Sequence, residues 1–312
     1  MSQKPLVVVS GATGAQGGSV VNSLLATGLY KIRALTRNPD SDKSKALITK
    51  GVDEVVKCDF SNKEDVKNAL NGADIAWIVT NFWDPSIVGA NPSEEERQGK
   101  LIADVAKEVG LNWLIYSSLP DTTAESGGKY PDIVHFSGKN HVEQYIKTIG
   151  IPNTTFVYVA YYYQNLGVFA PFVQKDNEVE LVFPYITENI QIPMVDVEND
   201  TGPIVAKIIE EGATKWNGKK ISVAGEYVTL KHVVDVLTKV TGKTYKLKTL
   251  NDENLKEFSF LDNNELKQMH KWFVDYGLFG LDNEVKDISL AKKLHPKIKS
   301  FEQYARETFA KA

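Results

Sequence analysis

The run Leu6-Val7-Val8-Val9 leads into Gly11-Ala12-Thr13-Gly14-Ala15-Gln16-Gly17, and helical spacing follows at once in Val20, Val21, Leu24 and Leu25, closed by Gly28. A short, apolar, β-branched run is what a parallel strand buried on both faces requires. Gly28 is placed to cap the helix at its C-terminus. The turn glycines have separate tasks. Gly11 allows a tight turn, Gly14 lets backbone N–H groups approach a pyrophosphate, and Gly17 lets the helix pack close to the strand. An ordinary β-α turn that binds nothing would not need to lose so much chain entropy, so the pattern reads as a dinucleotide-binding turn.

The same β-then-α unit recurs along the chain. Strands are expected at 32–36, 52–57, 75–79, 113–117 and 155–159, with helices near 42–50, 63–70, 92–109 and 133–149 between them. Ser93, with Glu96 three residues on, has the form of a capping box. Six strands joined by right-handed crossovers predict an α/β fold, a doubly wound parallel sheet of order 3-2-1-4-5-6. Ligands in such a sheet sit at the carboxyl ends of the strands. That rule selects Gly11 to Gly17, Thr36-Arg37, Asp59-Phe60, Thr80-Asn81-Phe82, Ser117-Ser118 and the residues after Val159.

Beyond residue 160 the pattern loosens around Tyr161, Tyr162, Tyr163, Phe169 and Phe172. Residues 1–160 are expected to form the nucleotide-binding domain and 161–312 a second, smaller α/β domain for substrate or partner, with segments near 193–207 and 220–240 returning to the first. Ile221-Ser222-Val223 reads as a late strand that rejoins the main sheet, Thr229 as the cap of a helix to Val240, and Asn251 to Lys267 as a solvated helix face.

Composition excludes several classes. The net charge of −4 offers no basic footprint for a phosphate backbone, so direct nucleic-acid binding is not expected. The single cysteine, Cys58, forms no internal disulfide and reads as a small buried residue at a strand end. No apolar run reaches the length of a membrane span, and Met1 to Pro5 lead straight into the first strand without a signal peptide. Cytoplasm is the expected address, with the nucleus open. Five scattered histidines and one cysteine give no metal site. Monomer and homodimer both remain open.

Sites specific for NAD usually carry Asp or Glu at the end of strand two, where this chain has Leu35-Thr36-Arg37-Asn38. Arg37 can fork onto a 2′-phosphate, so NADP(H) is preferred and NAD(H) is the second choice; the bland alternative is a surface arginine. Asp59 can meet the adenine edge or simply form a turn. Reductases of this fold commonly place Tyr-x-x-x-Lys on one helix face, and the matching segment here is His135-Phe136-Ser137-Gly138-Lys139. Lys139 can hold the nicotinamide ribose, Ser118 can polarise a substrate, and His135 can in principle shuttle a proton. Against this, His135 can be a plain helix-start residue and Lys139 an exposed neighbour of Glu143.

Together, residues 11–20, Leu35 to Pro39, Val79 to Trp83, Gln98-Gly99-Lys100 and His135 to Lys139 resemble the NmrA-like family, an atypical branch of the short-chain dehydrogenase/reductases. The resemblance covers nearly the whole chain and implies an extended Rossmann fold. It implies that Gly11, Thr13, Gly14, Ala15, Gln16 and Gly17 bind the pyrophosphate and Arg37 the 2′-phosphate. Asp59 and Phe60 would flank adenine, Thr80, Asn81 and Phe82 would line the cleft, and Lys139 would hold the ribose. Lys100 would face the cofactor, and Tyr162, Tyr163, Gln164 and Asn165 would close over the nicotinamide. The family's regulatory members imply a redox-sensing protein with a regulatory protein partner. Its enzymatic members imply an NADPH-dependent reductase of a quinone or other flat apolar carbonyl, hence a small aromatic substrate. A module that has lost its ligand is a third reading.

Overall fold

The computed structural model describes residues 4–88, 91–258 and 260–310. Met1, Ser2 and Gln3, on which the expected absence of a leader partly rests, lie outside the described residues, as does Ser259 of the polar 251–267 stretch. The first half of the chain runs β1 (Leu6–Val9), α1 (Ala15–Thr27), β2 (Lys31–Thr36), α2 (Asp42–Thr49), β3 (Glu54–Lys57), α3 (Lys63–Leu70), β4 (Ile75–Ile78), α4 (Pro85–Val88), α5 (Glu94–Glu108), β5 (Trp113–Ser118), α6 (Thr122–Glu125), α7 (Val134–Ile149) and β6 (Asn153–Val159). The second half runs β7 (Tyr161–Tyr162), β8 (Phe172–Lys175), β9 (Glu178–Pro184), β10 (Gln191–Val195), α8 (Val197–Glu211), α9 (Ala213–Trp216), β11 (Lys220–Val223), β12 (Glu226–Thr229), α10 (Leu230–Thr241), β13 (Thr244–Leu250), α11 (Asn264–Asp275), α12 (Asn283–Lys286), α13 (Ser289–Leu294) and α14 (Phe301–Phe309).

The main sheet has the order β11-β6-β5-β4-β1-β2-β3. The expected order 3-2-1-4-5-6 is contained in it, and the late strand 221–223 adds β11 beyond β6. Val7 on β1 stands opposite Ile32 on one side and Ile75 on the other, both in parallel register. Val7, Val8 and Val9 are wholly buried, which is why β1 is apolar without alternation. The order in which successive strands are added reverses at β1, with β2 and β3 on one side and β4 on the other, so the loops after β1 and β4 flank the crevice where such sheets bind ligands.

Local signals account for most helix ends. Gly28 adopts φ +64° and donates its N–H to the Leu25 carbonyl at 3.1 Å. Thr229 accepts from the His232 N–H at the start of α10. The capping box at Ser93 does not form. Ser93 has helical backbone angles, its hydroxyl donates to Asn91 Oδ1 at 2.8 Å, and Glu96 turns instead to Lys100 and His141. The stretch 251–267, expected as a solvated helix face, buries Leu255 and Leu261 and becomes α-helical only at Asn264.

The chain divides into two compact units. The first comprises Met1–Asp121, Val134–Tyr158 and Glu198–Ile221. Its α8 lies directly on α1: the Gly202 N–H donates to Ser19 Oγ at 2.8 Å, and a Cβ on Gly202 would stand 1.9 Å from the Ser19 carbonyl oxygen. The second unit comprises Thr122–Ile133, Val159–Val197 and Ser222–Ala312. It carries two three-stranded sheets, β12-β10-β7 and β13-β9-β8, so β12 and α10 of the segment 220–240 belong to it, while β11 pairs in the main sheet. Among the described residues no helix is long and apolar enough to cross a membrane.

Candidate functional site

The glycine turn is built from its neighbours. Ser10 Oγ both donates to the Val79 carbonyl (3.1 Å) and accepts from the Val79 N–H (2.7 Å), tying the end of β1 to the end of β4. Gly11 then reverses the chain at φ +60°, and the Gly14 N–H closes the turn on the Gly11 carbonyl at 2.8 Å. A Cβ on Gly17 would sit 2.2 Å from the Ser10 carbonyl oxygen, so only glycine lets α1 start this close to the strand. Gly14 is the N-cap of α1 and supplies no side-chain acceptor, and the first turn holds no acidic residue. The leading N–H groups of α1 therefore face outward with the positive end of the helix dipole. That donor set fits a pyrophosphate.

Beside the turn lies a cleft of about 440 Å³ between α1 and α2, lined among others by Thr13, Gly14, Ala15, Gly18, Lys43 and Lys50. Lys43 escaped the sequence reading because a lysine on a polar helix carries no signal until the fold brings it to the turn. Gln16 contributes in a way that spacing did not indicate: its side-chain carbonyl accepts from Ser117 Oγ at 2.9 Å, binding α1 to the end of β5.

At the end of β2, Arg37 is two-thirds exposed and ion-paired with Asp84, which follows β4. Asp84 Oδ1 accepts from the N–H (2.9 Å) and hydroxyl (2.6 Å) of Ser86, and Oδ2 holds the guanidinium. Asp59 forms the turn considered for it, accepting from the Ser61 N–H (2.9 Å) and hydroxyl (2.7 Å). Those bonds hold its carboxyl below the usual range, with help from nearby Arg37 and Lys57. Phe60 is half-buried and Asn81 exposed.

Lys139 is no exposed neighbour of Glu143. It is buried, with Nζ 2.5 Å from Glu95 Oε1 and 2.8 Å from Thr80 Oγ1, while Thr80 itself donates to Glu95 at 2.7 Å. Among the described residues, Glu95 Oε2 has no hydrogen-bond partner. The run Glu94-Glu95-Glu96 hid this residue, since only the phase of α5 shows which of the three points inward. Glu143 is engaged elsewhere, with Lys147 and the Tyr158 hydroxyl.

His135 is buried among aromatic rings, 5.4 Å from Phe82, 5.2 Å from Trp83 and 4.8 Å from Phe136 between centroids. Ser118 is buried at the end of β5, its hydroxyl directed to the Leu119 carbonyl. Thr80, Phe82, His135, Lys139 and Ser118 thus all belong to the first unit, on β5, on α7 and in the loop after β4. Lys100 does not join the Lys139 group: it pairs with Glu96 on α5, its ammonium 5.9 Å from the Tyr145 ring centroid.

In the second unit, Tyr163 is buried against Tyr304 and Phe301, at 5.0 and 5.4 Å. Gln164 donates to the buried Asp196 at 2.7 Å and accepts from the Val197 N–H. Both side chains hold their own unit together, and Asn165 closes the following turn through its carbonyl. Tyr162 is half-buried on β7. Cys58 is buried, and burial with the nearby Asp65 and Asp59 carboxylates pushes its thiol up to about 12, which suits a structural residue. Among the described residues no cluster of three or more His, Cys, Asp or Glu is arranged to hold a metal.

Comparison with known proteins places this architecture. The sequence profile of the NmrA-like family matches residues 3–305. An NmrA-like family domain-containing protein of Dictyostelium discoideum is 31% identical over 318 residues, covering 98% of each chain. The NmrA-like family domain-containing oxidoreductase notA of an Aspergillus species is 34% identical over 244 residues, 74% of this chain and 71% of that one. Among solved structures, NmrA, a negative transcriptional regulator, superposes with a TM-score of 0.82 at 25% identity, covering 98% of this chain and 96% of that chain. Structures of NmrA in complex with NAD and with NADP superpose with TM-scores of 0.81 and 0.80, each at 24% identity. With its profile spanning the sheet, the glycine turn and the second unit alike, the chain belongs to the NmrA-like family.

Proposed function

We propose that this chain is an NADP(H)-binding, redox-sensing regulatory protein that acts through cofactor-dependent contacts with a protein partner. The observation that carries the reading is the pairing of an open dinucleotide turn with a Lys139 ammonium held by the buried Glu95, on a helix where His135 replaces the usual tyrosine acid. The chain has kept the means to bind a nucleotide while its proton-transfer group is altered. Gly11 to Gly17 would cradle the pyrophosphate, Arg37 would meet a 2′-phosphate, Asp59 and Phe60 would flank adenine, and Thr80, Asn81 and Phe82 would border the nicotinamide end, where Lys139 would reach the ribose. Binding would shift the population of conformers in these loops and so the surface offered to a partner. A cytoplasmic protein with access to the nucleus, monomeric or dimeric, suits this role. The NmrA structures solved with NAD and with NADP, and the regulatory role in NmrA's name, support it.

The second reading is an NADPH-dependent reductase of a quinone or similar flat carbonyl. It draws on the aromatic enclosure of His135 by Phe82, Trp83 and Phe136, and on relatives named as oxidoreductases. The nicotinamide, when bound, supplies a hydride. Lys139 would orient the ribose, Ser118 would donate to the carbonyl, and His135 would hold the proton.

One experiment separates them. Tryptophan fluorescence titrated with NADPH and NADH measures binding, and the same protein is then mixed with NADPH and a panel of quinones. Binding without NADPH consumption supports the sensor. Stoichiometric consumption that disappears in Lys139→Ala establishes the reductase, and binding of neither nucleotide removes both.

A further inference from the structure

The ion pair between Arg37 and Asp84 spans the glycine turn. Arg37 follows β2 and Asp84 follows β4, and these strands lie on either side of β1. Two neighbouring spacings separate β2 from β4 by about 10 Å, so the paired side chains must reach across the carboxyl end of the strand that carries the turn. The Arg37 side chain is 67% exposed, so water can replace the contact at that end of the pair. Asp84 is different, with only 9% of its side chain exposed and its two oxygens divided between tasks. Oδ1 is fixed by the Ser86 N–H and hydroxyl, which leaves Oδ2 directed at the guanidinium.

A strand-two carboxylate normally reads the adenosine 2′-hydroxyl of NAD, and an arginine nearby accommodates the 2′-phosphate of NADP. This chain has the arginine at the end of β2 and no carboxylate there, but the loop after β4 delivers one to the same guanidinium. We propose that Asp84 sets the nucleotide selectivity of this site, giving it two settings. In one, the 2′-phosphate takes Arg37 from Asp84. In the other, the pair stays closed and Asp84 accepts a hydrogen bond from the 2′-hydroxyl of NAD(H). Asp84 thus weakens the preference that Arg37 alone would confer, because its charge competes with the phosphate for the same donors. The inference rests on the nucleotide-binding reading above and names the residue that tunes it.

The test is Asp84→Asn, in which the amide oxygen can still accept from Ser86 while the charge opposite Arg37 is gone. Affinities for NADPH and NADH are measured by calorimetry on wild type and variant, with circular dichroism as the check on folding. NADPH is expected to bind about tenfold tighter and NADH several-fold weaker, the scale of one charged hydrogen bond gained or lost. Asp84→Ser, whose hydroxyl can also accept from the Ser86 N–H, must move the ratio in the same direction. In Arg37→Gln, the further change Asp84→Asn should no longer strengthen NADPH binding. If wild type binds both nucleotides and their affinity ratio stays within about twofold in both folded Asp84 variants, Asp84 has no part in selectivity, although the nucleotide site stands. If wild type binds neither nucleotide, the site and this inference fall together.

Discussion

Lys139 and Glu95 form a buried ion pair, Nζ to Oε1 at 2.5 Å, that joins α7 to the start of α5 and gathers in the Thr80 hydroxyl. Neither charge is exposed enough for water to replace a lost partner. Glu95→Ala should therefore destabilise the protein by about 3–5 kcal/mol in urea unfolding, because it strands a buried ammonium. Replacing both, as Glu95→Leu with Lys139→Met, should restore most of that loss. A double variant no more stable than Glu95→Ala would show that packing at position 95 and not charge is what matters.

The close approach of α1 to β1 makes Gly17 a sensitive position. Gly17→Ala puts a methyl 2.2 Å from the Ser10 carbonyl oxygen, where neither main chain can yield without shifting the turn. Loss of roughly 1–3 kcal/mol in stability is expected from such overpacking, together with loss of NADPH binding. Gly202→Ala produces a similar clash with the Ser19 carbonyl, which follows the glycine turn and leaves the main chain of Gly11 to Gly17 untouched. It should lower the melting temperature and leave proportionately more binding, so equal losses of affinity in the two variants would argue against the turn as the site.

Arg37→Gln should weaken NADPH by about 1.5–3 kcal/mol, or roughly 10- to 150-fold, while NADH changes little. Calorimetry at two salt concentrations checks this, since the contribution of an exposed guanidinium is screened. An equal loss for both nucleotides would mean that Arg37 acts on the shape of the loop instead of on the phosphate.

Burial raises the Cys58 thiol to about 12, above its value in an unfolded chain. The unfolded chain then loses its proton first as pH rises, so the contribution of Cys58 is fully present below about pH 8.5 and is lost progressively towards pH 12. Unfolding midpoints between pH 8 and pH 11 should fall with a steeper slope in wild type than in Cys58→Ala. In the folded protein, iodoacetamide should modify this thiol far more slowly than it does in urea. Identical pH slopes in the two proteins would count against a buried, neutral thiol.

The strand, glycine and helix signals at residues 6–28, and the order of that strand and the five that follow it, were legible in the sequence because each rests on local rules: burial on both faces, φ values that only glycine tolerates readily, and right-handed crossovers. Even the return of 221–223 to the sheet could be read from its apolar β-branched character. The same local rules misassigned Ser93, because a capping box depends on the backbone angles of the residue before the helix, and these are set by the turn at Asn91. What tertiary structure alone decided is which charges meet. Asp84 reaches Arg37 across 47 residues, and Glu95 reaches Lys139 across 44. Electrostatic partners are chosen by distance in space and by exclusion of water, and neither quantity is written in the spacing of residues along a chain.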